Sequence, residues 1–447
     1  MHDLDSALDA IRARDDTAAR HAHALWHVMR STAAHPTKVT RYDVQRMMWR
    51  TLPQAHLRPG GDGAFDDLHA TCESFAELLD LLGHESYAAL CRAEVTRRIL
   101  DSTGHDARFR LLVDDAWRSS GVLPPDTPTL TWSEQAGPVE TALHAAVGRL
   151  LEEAITAGTL PADGGESPER VALVTRLLTS LGDDDKQTWL ASLIDERLDA
   201  WTVGRGSQTR REMLVRVRPE VRRPPGVARA PLPAVEMLLA ACAGPGARLT
   251  ARGYLPTALV ARLAEVMPAC GAVVTRVRSE TKYPPIRVLR ALVTAFDLVH
   301  ADSGRLKLTS RGAAVLDDPH SLPAWVGGRM VTRDRTMVGT VEEVVLAALL
   351  LEDRLPPSRI LEKLTYALTE APWPESAVPV PSVSVARGFL HRLRVLDVIE
   401  ITRTEDGDEE MVGLTEPGRA IARWSLRTRV LHGGTAAETA PLEAPRP

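Results

Sequence analysis

Arg287, Arg290 and Thr294 are spaced i, i+3 and i+7, so a helix would carry them on one face. Guanidinium groups in such a row can pair with guanine edges in the major groove of duplex DNA and with the phosphates beside them. The segment PPIRVLRALVTAF is otherwise apolar, and its apolar residues fall on the opposite face: Val288, Leu289, Leu292, Val293 and Phe296. The pattern predicts an amphipathic helix that buries the valines and leucines and exposes its polar side chains.

Further cations surround this segment in the sequence. Lys282 precedes it, and Arg305 and Lys307 lie in the segment that follows it. An arginine-rich stretch, TRREMLVRVRPEVRRPPGVAR, comes before and is interpreted as an arm or linker. The arginines of this arm that we expect to neutralise phosphates or to enter a minor groove are Arg210, Arg211, Arg216, Arg218, Arg222 and Arg223. The alternative is a solvated basic face and a tether between two domains.

The charge of the chain is segregated, although the net charge is only −5. Residues 1–204 hold 20 Lys and Arg against 32 Asp and Glu, whereas residues 205–335 hold 22 against 10. Residues 336–447 hold 12 against 17. A basic middle between acidic ends is typical of a protein with a polyanionic partner. With aromatic residues at 4% of the chain, a stacking platform for single-stranded nucleic acid is not expected.

The sequence gives no positive case for catalysis, a metal or a cofactor. His21, His23 and His27 lie close together, but no nearby residues complete a ligand set, so we interpret them as surface histidines. Ser279 and Lys282 match an S-x-x-K pattern by chance, because the prolines that follow place the helix later and the companion motifs are missing. Phosphate-binding glycine loops, H-E-x-x-H and G-x-S-x-G are also missing. A helical enzyme with an unrecognised site remains a third hypothesis.

The four cysteines, Cys72, Cys91, Cys242 and Cys270, are too far apart for a C-x-x-C metal site and are expected to be reduced and buried. No signal peptide is evident at the first residues, and no window of 18 apolar residues occurs. These features predict a cytoplasmic protein that does not act at a membrane.

The length of 447 residues predicts several domains, of which the first is helical. Residues 1–204 show helical periodicity throughout, and a division of this part near residue 60 or 125 stays open. Helices are expected over 138–158, 167–182 and 184–201. A repeat of about 34 residues, the mark of a helical-hairpin array, is not found.

Residues 231–335 predict three helices, over 231–242, 257–267 and 284–296, followed by a hairpin. The hairpin is LVHADSGRLKLT, with its turn at Asp302-Ser303-Gly304, and a short helix closes the unit. Residues 336–430 repeat this plan: FDLV at 296–299 matches LDVI at 396–399, and LTSRGAAVL matches LTEPGRAIA. The second hairpin turn, TEDGDEE, is acidic and would be repelled by phosphate. The tail, 431–447, has the composition of a disordered segment.

Residues of about 250–318 resemble a C-terminal module of uncharacterised actinobacterial proteins and the winged helix-turn-helix superfamily. The resemblance has a fainter echo at 383–424, leaves residues 1–204 unmatched, and implies a winged-helix fold for the part that it covers. Together with the periodicity it gives a mainly α chain: a helical half over 1–204, an arm over 205–230, and tandem winged helices over 231–335 and 336–430. The leading hypothesis is a DNA-binding regulator of transcription or chromosome organisation. Residues 1–204 and 336–430 would bind protein partners or a second copy. The alternative is a non-enzymatic scaffold whose winged helices bind other proteins.

Overall fold

The computed structural model describes most of the chain, and the described residues form two compact units. The described ranges are 3–32, 39–57, 67–133, 136–161, 167–182, 186–203, 207–223, 231–267, 279–332, 336–369, 382–404 and 409–432. Unit 1 comprises 1–130 and 136–196, and unit 2 comprises 131–135 and 197–447. The structure is mainly helical with two three-stranded sheets, which confirms the prediction of a mainly α chain.

Unit 1 is built from helices among its described residues, apart from one isolated β-bridge between Leu181 and Thr188. They are α1 Leu4–Arg12, α2 Asp16–Thr32, α3 Arg41–Arg46, α4 Leu52–His56, α5 Leu68–Leu81, α6 Glu85–Arg92, α7 Glu94–Asp101, α8 Asp106–Ser119, α9 Pro138–Thr156 and α10 Pro168–Thr179. A π-helical turn, Met47–Thr51, joins α3 to α4. The next helix, α11, spans Trp189–Val203, and its residues belong to unit 1 up to Glu196 and to unit 2 from Arg197.

Aromatic side chains from three helical segments of unit 1 meet near the π-helical turn. The Trp117 ring of α8 lies 5.2 Å from the ring of Tyr42 in α3 and 5.2 Å from that of Trp49 in the π-helical turn. The Tyr42 hydroxyl also lies 2.5 Å from Nδ1 of His144 in α9. Because Tyr42 and Trp49 are almost completely buried, this cluster fixes α3 and the turn against α8 and α9.

Unit 2 contains the remaining helices. They are α12 Gln208–Arg222, α13 Pro233–Cys242, α14 Thr257–Val266, α15 Pro284–Ala295, α16 Ser310–Asp317, α17 Leu322–Met330, α18 Met337–Leu351, α19 Pro357–Thr369, α20 Ser382–Val395 and α21 Glu416–His432. Short 3₁₀ turns occupy Glu280–Lys282 and Pro319–Ser321. The helix predicted over 284–296 is therefore confirmed as α15, and its starting prolines occupy the first turn, where a missing N–H costs nothing.

Each sheet of unit 2 has the same arrangement of three antiparallel strands. The first consists of β1 Ala247–Arg248, β2 Val299–Asp302 and β3 Arg305–Leu308, in the order β1-β3-β2. The second consists of β4 Arg354–Leu355, β5 Ile399–Arg403 and β6 Glu410–Leu414, in the order β4-β6-β5. Ala301 pairs with Leu306 in the first hairpin, and Ile401 pairs with Val412 in the second. The helix–strand–helix–helix–strand–strand–helix order thus occurs twice; we call 231–318 copy 1 and 336–432 copy 2.

The two copies share the bend between the third helix and the hairpin. Asp297 follows α15 with φ 58°, and Asp397 follows α20 with φ 59°, a left-handed conformation that Asp tolerates better than most residues. The side-chain hydroxyls of Thr309 and Thr415 donate hydrogen bonds to the backbone carbonyls of Asp297 and Asp397, each at a distance of 2.6 Å. The repeat seen in the letters of the sequence is therefore a repeat of backbone geometry.

A glycine completes this bend in each copy. A Cβ on Gly312 would lie 2.0 Å from the carbonyl oxygen of Leu298, and a Cβ on Gly418 would lie 1.8 Å from that of Val398. Gly312 N–H and Gly418 N–H donate to the Thr309 and Thr415 hydroxyls at 2.9 and 3.0 Å. The closing helix of each copy can approach the bend because these positions carry no side chain.

The segment interpreted as an arm or linker is in part a packed helix, which corrects that interpretation. Over Gln208–Arg222 the chain forms α12, and Met213, Val217 and Val221 are buried along one face. This helix contacts α18, α19 and α21, so it packs against copy 2. At its C-terminal end, Nη1 of Arg427 donates to the carbonyls of residues 221 and 222 at 3.0 and 2.7 Å, which caps the helix.

Two arginines meet a buried carboxylate inside unit 2. Glu343 of α18 has no exposed surface, and its oxygens accept from Nε of Arg210 at 2.7 Å, Nε of Arg429 at 2.7 Å and Nε1 of Trp201 at 2.8 Å. Burial alone would raise the pKa of Glu343, but the two guanidinium groups and the Trp201 hydrogen bond outweigh it and lower that pKa to about 2. This cluster ties α11, α12, α18 and α21 together.

Among the described residues, no helix is both long and apolar enough to cross a membrane. The predicted disordered tail begins at 431, but residues 431 and 432 complete α21, and 433–447 lie outside the described residues. Residues 405–408 of the acidic hairpin turn also lie outside them, whereas Glu409 and Glu410 are exposed.

Candidate nucleic-acid interface

One face of α15 is exposed, and of the three residues predicted to contact DNA it presents Arg287 and Thr294 but not Arg290. Pro284, Arg287, Ala291 and Thr294 form an exposed stripe at helical spacing, opposite the buried residues that face the core of copy 1. Within the described part of the chain, Arg287 has no ion-pair or hydrogen-bonding partner for its side chain. The small side chains of Ala291 and Thr294 leave room for a bulky partner to approach the helix beyond Arg287.

Arg290 differs from the sequence interpretation, because its guanidinium, which is partly exposed, already has partners within copy 1. Its Nε lies 3.2 Å from Oε1 of Glu280, and its Nη1 donates a hydrogen bond to the Gly253 carbonyl at 2.8 Å. Glu280 is completely buried and also accepts from the backbone N–H of Leu255 at 2.9 Å. Arg290 is thus used to join α15 to the turn before α14, which corrects its assignment as a base-reading residue.

The turn that Arg290 holds carries another cation. Arg252 precedes Gly253, is exposed, and has no side-chain partner among the residues that the structure describes. Lys282, at the end of the 3₁₀ turn before α15, is exposed and likewise has no side-chain partner among the described residues. We call Arg252, Lys282 and Arg287 the α15 basic cluster: Arg252 lies in the turn that Arg290 of α15 contacts, Lys282 lies in the 3₁₀ turn before α15, and Arg287 lies in the first turn of α15. The N-terminal end of a helix adds a partial positive charge to such a surface.

The two cations predicted on the hairpin of copy 1 are internally partnered. Arg305 donates from Nη1 to the Gly246 carbonyl at 3.0 Å and lies beside β1. Lys307 forms an exposed ion pair with Asp302 across the hairpin at 2.7 Å, and its hydrogen bond lowers the pKa of that carboxyl group. An exposed pair of this kind is worth little and can exchange its partner for a phosphate, so Lys307 stays available, whereas Arg305 is largely committed.

The predicted arm residues separate into buried and exposed side chains. Arg210 is buried against Glu343, so its guanidinium cannot meet a phosphate, which corrects its assignment. Arg218 pairs with Asp199 at 2.5 Å. Four arginines of the predicted set remain exposed: Arg211, Arg216, Arg222 and Arg223. Because α12 packs against copy 2, these four do not extend the surface of copy 1 that the sequence assigned to them.

The third helices of the two copies contact each other. Helix α15 contacts α20 in addition to its own core, so part of its surface is covered within unit 2. On α20 the exposed stripe contains Ser384, Arg387 and His391, at positions 100 residues after those of α15. Arg287 and Arg387 are therefore exposed at corresponding positions of a duplicated helix.

A metal centre finds no support among the described residues, since no three His, Cys, Asp or Glu side chains there are grouped to hold an ion. His23 and His27 stack edge to face, with their Nε2 atoms 3.0 Å apart. Sequence reasoning missed two residues. The turn that carries Arg252 is placed by the contact between Arg290 and Gly253, which are 37 residues apart, and the signal for Glu343 is an acidic pair within the apolar segment VEEVVLAALLL.

Comparisons with known proteins do not assign a function to this chain. No protein-family model, curated protein or solved structure matches this chain.

Proposed function

We propose that unit 2 binds double-stranded DNA through copy 1, with α15 as the reading helix. The observation that carries the proposal is the α15 basic cluster, whose three cations have no internal partner in the described part of the chain. In a winged helix the third helix enters the major groove and the hairpin lies along the flanking backbone. The order of elements in copy 1 supports that interpretation, since α15 is the third helix and β2–β3 the hairpin.

In this proposal Arg287 contacts a base edge or a phosphate, and Arg252 and Lys282 contact phosphates beside the start of α15. Thr294 lies further along the same exposed stripe and contacts the groove without charge. Arg290 positions the Arg252 turn through Glu280 and Gly253. The biological setting of this proposal is the regulation of transcription or chromosome organisation. In that setting unit 1 senses a signal or recruits a protein partner.

The test compares two triple variants of the full chain that remove equal charge. One replaces Arg252, Lys282 and Arg287 with Ala, and the other replaces the exposed Arg211, Arg216 and Arg223 of α12 and its end. Binding to mixed-sequence duplex DNA is measured by fluorescence anisotropy over a salt series. The first variant is expected to lose roughly tenfold or more in affinity and to reduce the salt slope by about 3, whereas the second keeps most of the affinity.

A second candidate function is favoured by one observation: Arg290 and Arg305 are held internally, which leaves copy 1 less basic than its composition indicates. The candidate is a scaffold whose duplicated units bind other proteins. Absence of DNA binding by the full chain at low salt would overturn the DNA proposal and favour the scaffold. Equal losses in both triple variants would contradict the assignment to α15.

A further inference from the structure

Unit 1 contains a cavity that the proposed function does not use. It has a volume of about 590 Å³ and lies among α3, the π-helical turn, α6, α8 and α9. Arg41, Gln45 and Trp49 line it at intervals of four residues, so they form one stripe along α3 and the turn. Cavities of this size are typical of sites for small organic molecules. A π-helical turn is rare and is often found at such sites.

Gln45 is the feature of the cavity that points to a ligand. Its side chain has no exposed surface, and neither Oε1 nor Nε2 has a hydrogen-bond partner among the described residues. A buried amide left unpaired loses its hydrogen bonds to water without replacement, so native proteins rarely keep one without a purpose. One turn earlier, Nε of Arg41 is also buried and unpartnered. Two neighbouring residues that line one cavity thus carry unused hydrogen-bonding groups.

A carboxylate beside Arg41 also lines the cavity and is held in place. Glu152 of α9 accepts from the Tyr87 hydroxyl at 3.0 Å and from the backbone N–H of Arg41 at 2.8 Å, so both of its oxygens are used. Burial raises the pKa of Glu152, and the hydrogen bonds from Arg41 and Tyr87 oppose that shift. The residues that line the cavity include one cation, Arg41, and one carboxylate, Glu152, so their formal charges cancel.

Apolar side chains form the rest of the wall. Trp49 contributes its indole ring, whose N–H is already used by Oγ1 of Thr96 at 2.9 Å, and Leu90 and Ile155 lie on other sides. A flat apolar body would fit against such a wall, and its edge would have to satisfy Gln45. An amide side chain offers one acceptor and one donor side by side, so its complement is an edge with an adjacent N–H and C=O.

We propose that unit 1 is a receptor for a small, uncharged, planar molecule with a lactam-type edge, such as a cyclic amide or a nucleobase. Gln45 forms paired hydrogen bonds with that edge, Arg41 donates to a further acceptor, and Trp49 contacts the ring. The proposal does not rest on DNA binding, because every residue that carries it belongs to unit 1.

The experiment titrates the full chain by calorimetry with a panel of lactam probes: 2-pyridone, 2-quinolone, uracil and hypoxanthine. Each is paired with a derivative methylated at the amide nitrogen, which keeps the shape and removes the donor. At least one lactam is expected to bind at least about tenfold more tightly than its methylated partner, the loss of one paired hydrogen bond being worth about 1.4 kcal/mol or more.

Gln45→Met tests the site directly, with Gln54→Met, an exposed change on α4, as the matched control. Gln45→Met is expected to abolish binding while raising the melting temperature of the free protein, because it removes an unpaired buried amide. Gln54→Met is expected to bind as the native protein does. Ile155→Trp, which fills the cavity from another wall, is a second variant that should abolish binding if Gln45→Met folds poorly.

Three results would overturn the proposal. The first is that no lactam of the panel binds, and the second is that the lactams and their methylated partners bind equally. The third is that both cavity variants bind as the native protein does. The DNA assay is unaffected by any of these outcomes, so the two proposals fail separately.

Discussion

Arg287 and Arg290 lie three residues apart on α15, yet the structure gives them different surroundings. Arg287 is exposed and unpaired within the described chain, whereas Arg290 is bound to a completely buried carboxylate. A guanidinium that neutralises a buried Glu is a structural group first, because its loss leaves a charge in a low-dielectric interior. Residue type and spacing alone therefore do not distinguish a reading residue from a positioning residue.

Arg290→Ala is expected to lower the free energy of unfolding by about 3 kcal/mol, because it leaves Glu280 buried without its cation. The matched control is Arg287→Ala on the same helix, which is expected to change that free energy by less than about 0.5 kcal/mol. Urea unfolding of both variants measures the difference. Equal stability of the two variants would show that the Glu280–Arg290 contact does not support copy 1.

Glu343 gives unit 2 a dependence on pH. Its folded pKa of about 2 lies below the ordinary Glu value, so its contribution is fully present above about pH 5 and is lost as the pH falls toward 2. The depression corresponds to a stabilisation on the order of 3 kcal/mol. In Glu343→Gln the stability deficit relative to the native protein should be large at pH 7 and should shrink steadily below pH 5.

Urea midpoints at several pH values test this expectation. Glu265→Gln, at an exposed position of α14, is the control and should change the stability by less than about 0.5 kcal/mol at pH 7. A deficit in Glu343→Gln that stays constant from pH 7 to pH 3 would contradict the assignment of an ionised, ion-paired Glu343.

At the scale of elements, the duplicated bend was predictable and the packing of α12 was not. The letters FDLV and LDVI, and the hairpins after them, show the repeat because the bend depends on residues close in sequence. Met213, Val217 and Val221 also have helical spacing, but the density of arginines predicts an arm in their place. The packing of α12 depends on the pairing of Arg210 with Glu343, which lies 133 residues further along the chain. No local sequence pattern encodes such a pairing.

Gly312→Ala and Gly418→Ala should each destabilise unit 2 by about 1–3 kcal/mol or more, because a Cβ there would collide with a backbone carbonyl that side-chain motion cannot relieve. Gly388→Ala, in α20 with no atom near the new Cβ, is the matched control. It should leave stability unchanged or raise it by up to about 1 kcal/mol through helix propensity. Thermal unfolding of the three variants measures this. A Gly388→Ala loss as large as the others would contradict the proposed collision.

At the scale of the whole molecule, the basic middle of the chain overstates the surface available to a polyanion. Several of its arginines serve as internal partners of carboxylates and carbonyls, as Arg210, Arg290 and Arg305 do. The same limit applies to the cavity in unit 1: Arg41 and Glu152 are 111 residues apart, and only the fold brings them together. Composition indicated the kind of partner, and the tertiary structure limits where it can bind.

The salt dependence of DNA binding by the full chain reports how many cations take part. If the α15 basic cluster supplies the contacts, the slope of log K against log salt should be roughly −3, and if all eleven cations assigned from the sequence did so it would be roughly −10. Anisotropy titrations at several salt concentrations give the slope. A value near −10 would contradict the internal roles of Arg210 and Arg290.

The contact between α15 and α20 joins corresponding helices of two copies, as in a homodimer with its axis between them. In this chain the second copy is attached covalently, so dilution cannot separate the pair and no concentration threshold governs its assembly. The halves are also free to diverge: Arg287 and Arg387 persist at matching positions, whereas Ala291 corresponds to His391 and Thr294 to Arg394. One chain therefore contains the equivalent of a heterodimer that cannot dissociate. Either copy can specialise for a ligand while the other keeps the pair folded.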